Sequence, residues 1–276
     1  MNIILRRRGF GLLSTRRIAD GMGNEVTVVR SDRKKGPYGD VIRWGCTASV
    51  NCEGRVYNDS EAISLAANKS NFRKFVNNEG ICPKTWFNVL ELPADGQYQY
   101  IVRPEYHFKG RQLYLARDAY EANEAAYLCG DNYYISEYIA KEYEYRVFVV
   151  QGRGVFVIKK NALGLDRIGW NHHGPGDWVN VRWSEWNLDA VRKSIRACEL
   201  AGLDFGAVDV VVDKEGVAYV LEVNTAPLVN SNYWGYCVSK AFDYMLGTQG
   251  DNIPITNRGW KGVIHPAICD RASIGD

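Results

Sequence analysis

Short apolar runs with period-two alternation and segments with helical periodicity follow one another along the chain, separated by turns rich in glycine and polar residues. Over residues 1–58 the pattern predicts a strand at NIIL, a short helix at STRRIADGMG that begins at Ser14, and strands at VTVV and DVIRWG. This order of strand, helix, strand and strand is typical of a small α/β layer.

The sequence pattern over residues 59–140 predicts a mixture of helices and strands. One continuous helix is expected over 59–80, with Asp59 or Ser60 as its N-cap. The elements expected after it are strands at YQYIVRP and RQLYLA, a helix at DAYEANEAAYLCG that opens with a capping box, and a strand at YYISEYI.

Two β-hairpins and two helices are predicted over residues 141–250. YEYRVFVVQGRGVFVIKKN predicts the first hairpin, and GAVDVVVDKEGVAYVLEVN predicts the second, with its turn at 213–216. NLDAVRKSIRACELAG between them is an amphipathic helix, and YWGYCVSKAFDYML is the last helix. Together the elements predict an α+β fold whose sheets form separate lobes.

The end of the second hairpin places polar side chains on otherwise apolar strands. In YVLEVN, Glu222 and Asn224 are two residues apart, so they point to the same face. If this strand pairs antiparallel with FGAVDVVVD, Asp209 joins them on that face. Two carboxylates and an amide oxygen are the ligand type that Mg²⁺ requires. The alternative is a pair of surface acids on a half-exposed sheet.

Cationic residues lie on or at the ends of other apolar strands. Arg103 ends IVRP, Arg146 lies within EYEYRVFVV, and Lys159 and Lys160 end VFVIKK. Taken singly, such residues are usually solvated side chains with buried stems. Facing a carboxylate cluster, they are the groups that bind the phosphates of a Mg²⁺–nucleotide.

Composition narrows the class of protein. The net charge of the 276 residues is only +2, so binding of nucleic acid through bulk charge is not indicated. The sequence has no apolar run of membrane-spanning length and no signal-peptide pattern, so we expect no membrane partner. Its seven cysteines form no CxxC pair. We therefore expect a reducing cytoplasm.

The motifs IVRP, YYISEYI, EYRVFVV…VIKK and DFGAVDVVVD…YVLEVNTAP, in this order, resemble the ATP-grasp superfamily of carboxylate–amine ligases over roughly residues 60–245. The chain is most similar to the amino-acid ligase-like members of bacteria and phages. The resemblance implies an ATP-grasp fold preceded by a small α/β domain. The domains it implies are residues 1–58 for the small domain, 59–140 and 141–250 for the two lobes, with the metal site in the second lobe, and 251–276 for a C-terminal tail.

The resemblance also implies roles for individual residues. Arg103 replaces a usual lysine at the phosphates, and Lys159 or Lys160 contacts them as well. His107 and Lys109 support a phosphate loop that has only one glycine. The remaining implied roles are adenine binding by the backbone of Glu137, Tyr138 and Ile139, ribose binding by Glu144 (or Glu142), catalysis by Arg146 and Lys160, and binding of one or two Mg²⁺ ions, or Mn²⁺, by Asp209, Glu222 and Asn224.

The implied activity is ATP-dependent amide-bond formation between a small-molecule carboxylate and an amine, such as an amino acid or peptide, through an acyl phosphate. A small-molecule kinase and a non-catalytic Mg-ATP-binding module are the alternatives. The implied compartment is the cytoplasm of a bacterium or of a phage-infected host.

Two further stretches are candidates for substrate contacts. RRRGFGLLSTRR could hold an acidic substrate or be a solvated turn, and the loop 171–178 could lie beside the substrate.

Overall fold

The computed structural model describes residues 1–23, 25–93, 96–105, 112–160 and 178–247. The strands are β1 (Asn2–Arg6), β2 (Val26–Arg30), β3 (Val41–Trp44), β4 (Val56–Tyr57), β5 (Thr85–Trp86), β6 (Tyr100–Pro104), β7 (Tyr114–Ala116), β8 (Tyr133–Glu137), β9 (Lys141–Val150), β10 (Arg153–Lys160), β11 (Trp178–Asn180), β12 (Phe205–Asp213) and β13 (Ala218–Asn224). The helices are α1 (Leu12–Gly21), α2 (Ser60–Ala67), α3 (Lys69–Val76), α4 (Ala119–Cys129), α5 (Leu188–Leu200) and α6 (Asn232–Met245).

The first sheet is a parallel layer in the order β2-β1-β3-β4. Its central strands carry apolar side chains on both faces, as strands of a parallel sheet covered on both sides do. Helix α1 packs against α6, where Gly21 and Gly235 allow a close approach: an added Cβ at Gly21 would lie 2.5 Å from the hydroxyl of Ser239. The predicted α/β layer is thus confirmed, and it rests on the last helix of the chain.

The start of α1 differs from the prediction. The helix begins at Leu12 with Gly11 as its N-cap, and it has no side-chain cap. Ser14 lies inside the helix, and its hydroxyl accepts a hydrogen bond of 3.0 Å from the backbone N–H of Val229. Ser14 therefore joins the first layer to the loop after β13 and does not cap its own helix.

The second sheet is antiparallel, in the order β5-β8-β6-β7, and α4 covers one of its faces. Tyr100, Val102 and Ile135 of the sheet pack against Ala122 and other alanines of the helix. Alanine at these positions lets the helix lie close to the sheet. Asp118 caps α4 as predicted, since its side chain accepts from the backbone N–H of Glu121. The reciprocal bond of a capping box is displaced by one residue, because the Glu121 side chain accepts from the N–H of Arg117.

The third sheet has five strands, in the order β11-β10-β9-β12-β13, and its neighbouring strands are antiparallel. One face, with Val147 and Val208, packs against α2, α3 and α5. The other face, with Phe148 and Phe205, packs against α6 and the side chain of Trp44 from the first layer. Both predicted hairpins are confirmed, and the mixture of helices and sheets is the predicted α+β class.

The predicted continuous helix over 59–80 is wrong. Asn68 has extended backbone angles (φ −94°, ψ 101°) and separates α2 from α3. Its side chain accepts a hydrogen bond of 3.0 Å from the N–H of Asn71, so it serves as the N-cap of α3. The sequence grouped these helices with the first lobe, but Ile63 and Phe72 pack into the core beneath the five-stranded sheet.

Neither membrane-spanning helices nor disulfides are found among the described residues. No helix within the described ranges combines the length and the apolar character needed to cross a membrane. Six cysteines lie in the same part of the chain, and all six are free thiols. The structure therefore gains no stability from disulfides among these residues.

Candidate active site

Five charged residues lie on one face of the five-stranded sheet. Arg146 of β9 is directly opposite Asp209 of β12, and Asp209 is opposite Glu222 of β13. On the other side of β9, Glu144 is opposite Lys160 of β10. Since side chains opposite each other in antiparallel strands share a face, these five residues form one cluster at one end of the sheet.

The centre of this cluster is a bidentate ion pair. Nε and Nη2 of Arg146 donate to the two carboxylate oxygens of Asp209 at 2.7 and 2.9 Å. Burial by itself would raise the pKa of Asp209, but Arg146 and Lys160 outweigh it and hold the pKa below the ordinary value. Burial likewise opposes the charge on Arg146, and Asp209 more than restores it, so the arginine pKa is raised. Both groups are therefore charged at neutral pH.

Lys160 links this pair to Glu144. Its ammonium forms an ion pair with Glu144 and lies 3.3 Å from a carboxylate oxygen of Asp209. Glu144 also accepts a hydrogen bond of 2.8 Å from Lys141. Burial lowers the pKa of Lys141, and the neighbouring cations Lys160 and Arg103 lower it further against the effect of Glu144. Glu144 thus pairs with two lysines, and Asp209 pairs with both Arg146 and Lys160.

Arg103 lies in β6 of the second sheet, and its positive charge is one of the causes that lower the pKa of Lys141 in β9. The binding of phosphate by Arg103 stays a prediction.

Lys159 does not join the cluster. It is opposite Tyr145, whose ring packs in the core of the other face, and its ammonium lies 3.9 Å from the ring centroid of Tyr143. Neighbouring residues of a strand point to opposite faces, so only one of the two lysines can face the cluster. The prediction of Lys159 as a nucleotide ligand is corrected, and Lys160 is the lysine on the site face.

Glu222 and Asn224 lie beside the cluster, as predicted. The amide nitrogen of Asn224 donates to Glu222 at 3.1 Å, and the other oxygen of Glu222 pairs with Lys69 at the start of α3. No group of three or more His, Cys, Asp and Glu side chains suited to a metal occurs within the described ranges. The predicted metal ligands Asp209, Glu222 and Asn224 are two acids and one amide. They can supply only part of the coordination shell of Mg²⁺, and phosphate and water would complete it.

Two side chains of the site, Lys141 and Lys69, were missed in the sequence, and a third, Trp178, ends the stretch 171–178 that was expected beside the substrate. Trp178 of β11 lies over both cations, with its ring 4.7 Å from the guanidinium carbon of Arg146 and 5.1 Å from the ammonium of Lys160. Lys141 and Lys69 supply further positive charge. Period-two alternation would place Lys141 on the face opposite Glu144 and Arg146, and the pairing of β9 with β12 is irregular between Tyr143 and Lys141. Lys69 reaches Glu222 only through the packing of α3.

Several of the residues predicted to bind adenine and ribose already form hydrogen bonds within the protein. The N–H groups of Glu137 and Tyr138 donate to the carbonyls of Lys84 and Gln99, both at 2.8 Å, so a base bound beside Ile139 would have to use other backbone groups of this segment. Glu144, the predicted ribose ligand, is already bonded to two lysines. Three predictions lie outside the described residues: His107 and Lys109, the loop 171–177 and the tail 251–276.

A pocket of about 470 Å³ adjoins the metal-type residues. Its lining includes Glu222 and Asn224 of β13, the loop 225–228, and Arg7, Gly11 and Trp44 of the first layer. Its volume is within the range of small-molecule sites, about 300–1,000 Å³.

The sequence matches no family model, and no curated protein matches it either. Solved structures, in contrast, share the fold. The ATP-grasp ligase PsnB complexed with a minimal precursor has a TM-score of 0.62 at 14% identity, covering 90% of this chain and 100% of that chain. D-Alanine–D-alanine ligase from Bacillus anthracis has a TM-score of 0.61 at 15% identity, covering 90% and 97%. The D-cycloserine synthetase DcsG has a TM-score of 0.61 at 15% identity, covering 89% and 100%.

Proposed function

Because the chain has the ATP-grasp fold that its motifs predicted, we propose that it is an ATP-dependent carboxylate–amine ligase. The proposed reaction forms an amide between a small-molecule carboxylate and an amine, such as an amino acid or a peptide. ADP and inorganic phosphate are the other products. The named relatives support this proposal, since PsnB is an ATP-grasp ligase solved with a precursor, Mg and ADP.

The observation that carries the proposal is the group of cations on one face of the five-stranded sheet. The side chains of Lys141, Arg146 and Lys160 are only 11%, 16% and 10% exposed, and they lie side by side around Glu144 and Asp209. Neighbouring cations with little access to water repel one another, and a bound anion relieves that repulsion. A nucleoside triphosphate supplies that anion, and guanidinium and ammonium groups are its usual protein partners.

In this proposal the cations stabilise the charge of the transferring phosphoryl group. Arg146 is held rigidly by its two hydrogen bonds to Asp209, so its orientation is fixed before the substrate arrives. Lys160 is the matching ammonium from the neighbouring strand. Trp178 covers both cations and would have to yield space to a phosphate chain or lie along it.

Glu222 and Asn224, with Asp209 beside them, would hold the magnesium ion. When bound, Mg²⁺ neutralises phosphate charge and orients the phosphoryl group. In the structure described here these side chains pair with Lys69 and Arg146 instead. We infer that Lys69 holds the Glu222 side chain in place until the metal replaces it.

The chemistry needs no protein nucleophile. The substrate carboxylate attacks the γ-phosphorus of ATP, the bond to the β–γ bridging oxygen breaks, and ADP leaves as an acyl phosphate forms. The amine then attacks the acyl carbon, and inorganic phosphate leaves with the electron pair of the broken C–O bond. Water would destroy the intermediate, so the second sheet should close over the site during the reaction. The free thiols are consistent with work in a reducing bacterial or phage-infected cytoplasm.

The test is a screen of amino acids and short peptides with Mg-ATP, in which ADP and phosphate are both measured. A ligase produces the two in equal amounts, and only when both a carboxylate and an amine are present. ADP without free phosphate would instead identify a kinase. Tight binding of Mg-ATP without any turnover across the panel would contradict catalysis and leave a binding module.

A further inference from the structure

Two large apolar side chains in the pocket beside Glu222 and Asn224 are mostly exposed to solvent. Phe10, in the loop after β1, is 66% exposed, and Leu228, in the loop after β13, is 64% exposed. Both line the pocket. A single exposed apolar side chain is common on protein surfaces and indicates no function. Two of them in the lining of one pocket, beside polar residues of the candidate active site, indicate that an apolar part of a ligand covers them.

The fold attaches the loop of Leu228 to the helix that follows Phe10. The hydroxyl of Ser14 in α1 accepts a hydrogen bond of 3.0 Å from the N–H of Val229, and Arg17 of the same helix donates to the carbonyl of Val229 at 2.6 Å. Val229 is 1% exposed, so the loop is fixed at this residue, although the side chain just before it is exposed. These bonds hold the two exposed apolar side chains on adjoining segments.

The end of β3 supports the same loop. Gly45 has φ of 58°, and an added Cβ there would lie 2.6 Å from Cβ of Ala226, so glycine lets the end of the strand and the loop touch. Trp44, the preceding residue, lines the pocket, and its ring stacks on Phe205 in the core with 5.8 Å between the ring centroids. This indole and the two exposed side chains are therefore carried by fixed backbone, which is in place before a ligand binds.

The charged groups of the lining leave these apolar side chains open to a ligand. Lys69 and Glu222 pair with each other. The guanidinium carbon of Arg7 lies 5.8 Å from the ring centroid of Phe10, which nevertheless stays mostly exposed. The pocket therefore combines polar residues of the candidate active site with an apolar wall. The apolar wall consists of three side chains: Phe10, Trp44 and Leu228.

We propose that the apolar wall selects a ligase substrate in which a bulky apolar side chain lies next to the reacting group. The proposal rests on the proposed function for the reaction and adds the class of side chain: that of leucine or phenylalanine, in a free amino acid or in the end residue of a peptide. The pocket volume of about 470 Å³ has room for such a side chain. A polar side chain of the same size would lose hydrogen bonds to water against this wall.

The experiment measures binding by calorimetry in the presence of Mg²⁺ and a non-hydrolysable ATP analogue. The probes are leucine and phenylalanine, with asparagine as the polar counterpart of leucine, each as the free amino acid and as the end residue of a dipeptide with glycine. We expect leucine to bind about tenfold or more tightly than asparagine in at least one of the two forms. Leu228→Ser and Phe10→Ser should each weaken the binding of leucine by about tenfold and leave that of asparagine unchanged. Leu90 is 87% exposed and does not line this pocket, so Leu90→Ser is the control variant and should bind like the wild type.

Equal affinities for leucine and asparagine, or no binding of leucine and phenylalanine in either form, would overturn the selection by the apolar wall. Equal effects of Leu228→Ser and Leu90→Ser would overturn it as well. This readout does not depend on turnover. Binding that favours leucine and is weakened in Leu228→Ser, without production of ADP, would preserve the apolar wall and contradict the ligase. Turnover with asparagine as efficient as with leucine would preserve the ligase and contradict the apolar wall.

Discussion

Replacing Asp209 by asparagine tests the ion pair at the centre of the site. The substitution keeps the size of the side chain and one acceptor oxygen but removes the negative charge between Arg146 and Lys160. The side chains of Asp209 and Arg146 are only 7% and 16% exposed, so water cannot replace the lost partner. Asp209→Asn therefore leaves a buried guanidinium without its counter-charge.

The expected cost follows from this geometry. Removing one partner of a buried ion pair typically costs about 3–5 kcal/mol. Asparagine retains one hydrogen bond, and Glu144 still neutralises Lys160, so we expect the lower end, about 3 kcal/mol. At roughly 2–4 °C per kcal/mol for chains near this size, Tm should fall by roughly 6–12 °C.

The assay is thermal unfolding followed by circular dichroism, with Asp213→Asn as the matched control. Asp213 ends the same strand, and its carboxylate accepts from the N–H of Val217 in the turn, a bond that asparagine can retain. The control should therefore change Tm by no more than about 2 °C, as surface substitutions usually do. Equal changes in Tm for the two variants would refute the buried ion pair.

The pH dependence of this difference has a defined sign. The pKa of Asp209 is lowered by folding, because Arg146 and Lys160 outweigh the opposing effect of burial. Its contribution to stability is therefore fully present above the ordinary value of 3.8 and is lost as the pH falls through the lowered pKa. The difference in Tm between wild type and Asp209→Asn should stay constant between about pH 5 and pH 8. A difference that disappears within this window would contradict the assigned pKa direction.

Further variants test the neighbouring residues. Lys160→Ala should abolish measurable ATP binding by calorimetry, whereas Lys159→Ala should bind like the wild type; equal losses would contradict the assignment of faces. Arg146→Ala should lower turnover by about 10²-fold or more in the ADP assay, and an unchanged rate would remove it from the mechanism. Glu222→Gln should abolish turnover with a wild-type circular dichroism spectrum, and an unfolded spectrum would make Glu222 structural. Burial and nearby cations lower the pKa of Lys141, so its charge is unfavourable in the folded protein. The variant Lys141→Met should therefore have a Tm no lower than wild type at neutral pH, yet bind ATP several-fold more weakly. A lower Tm would contradict the unfavourable charge of Lys141.

Much of the fold could be predicted because its signals are local. Period-two alternation identified β9, β12 and β13, and the same period placed Glu222 and Asn224 on one face. Pairing of the hairpin then brought Asp209 opposite Glu222. The motif resemblance correctly gave the ATP-grasp fold, although overall identity to the solved structures is only 14–15%.

The remaining features depend on packing between distant segments. Asn68 looks like an ordinary polar position of a long helix, and only the separate docking of α2 and α3 makes it a cap. Serine is a common N-cap residue, yet the hydroxyl of Ser14 accepts its hydrogen bond from Val229 in the loop after β13. Trp178 comes to lie over Arg146 because β11 pairs with β10. Such contacts across the chain leave no periodic signal in the sequence.

Calorimetric titration of the protein with ATP, with and without Mg²⁺, tests the central claim most directly. We predict saturable uptake of one ATP per chain that requires Mg²⁺ and is lost in Lys160→Ala. Absence of ATP binding in the presence of Mg²⁺, or binding that Lys160→Ala leaves unchanged, would contradict a nucleotide site at the cation cluster.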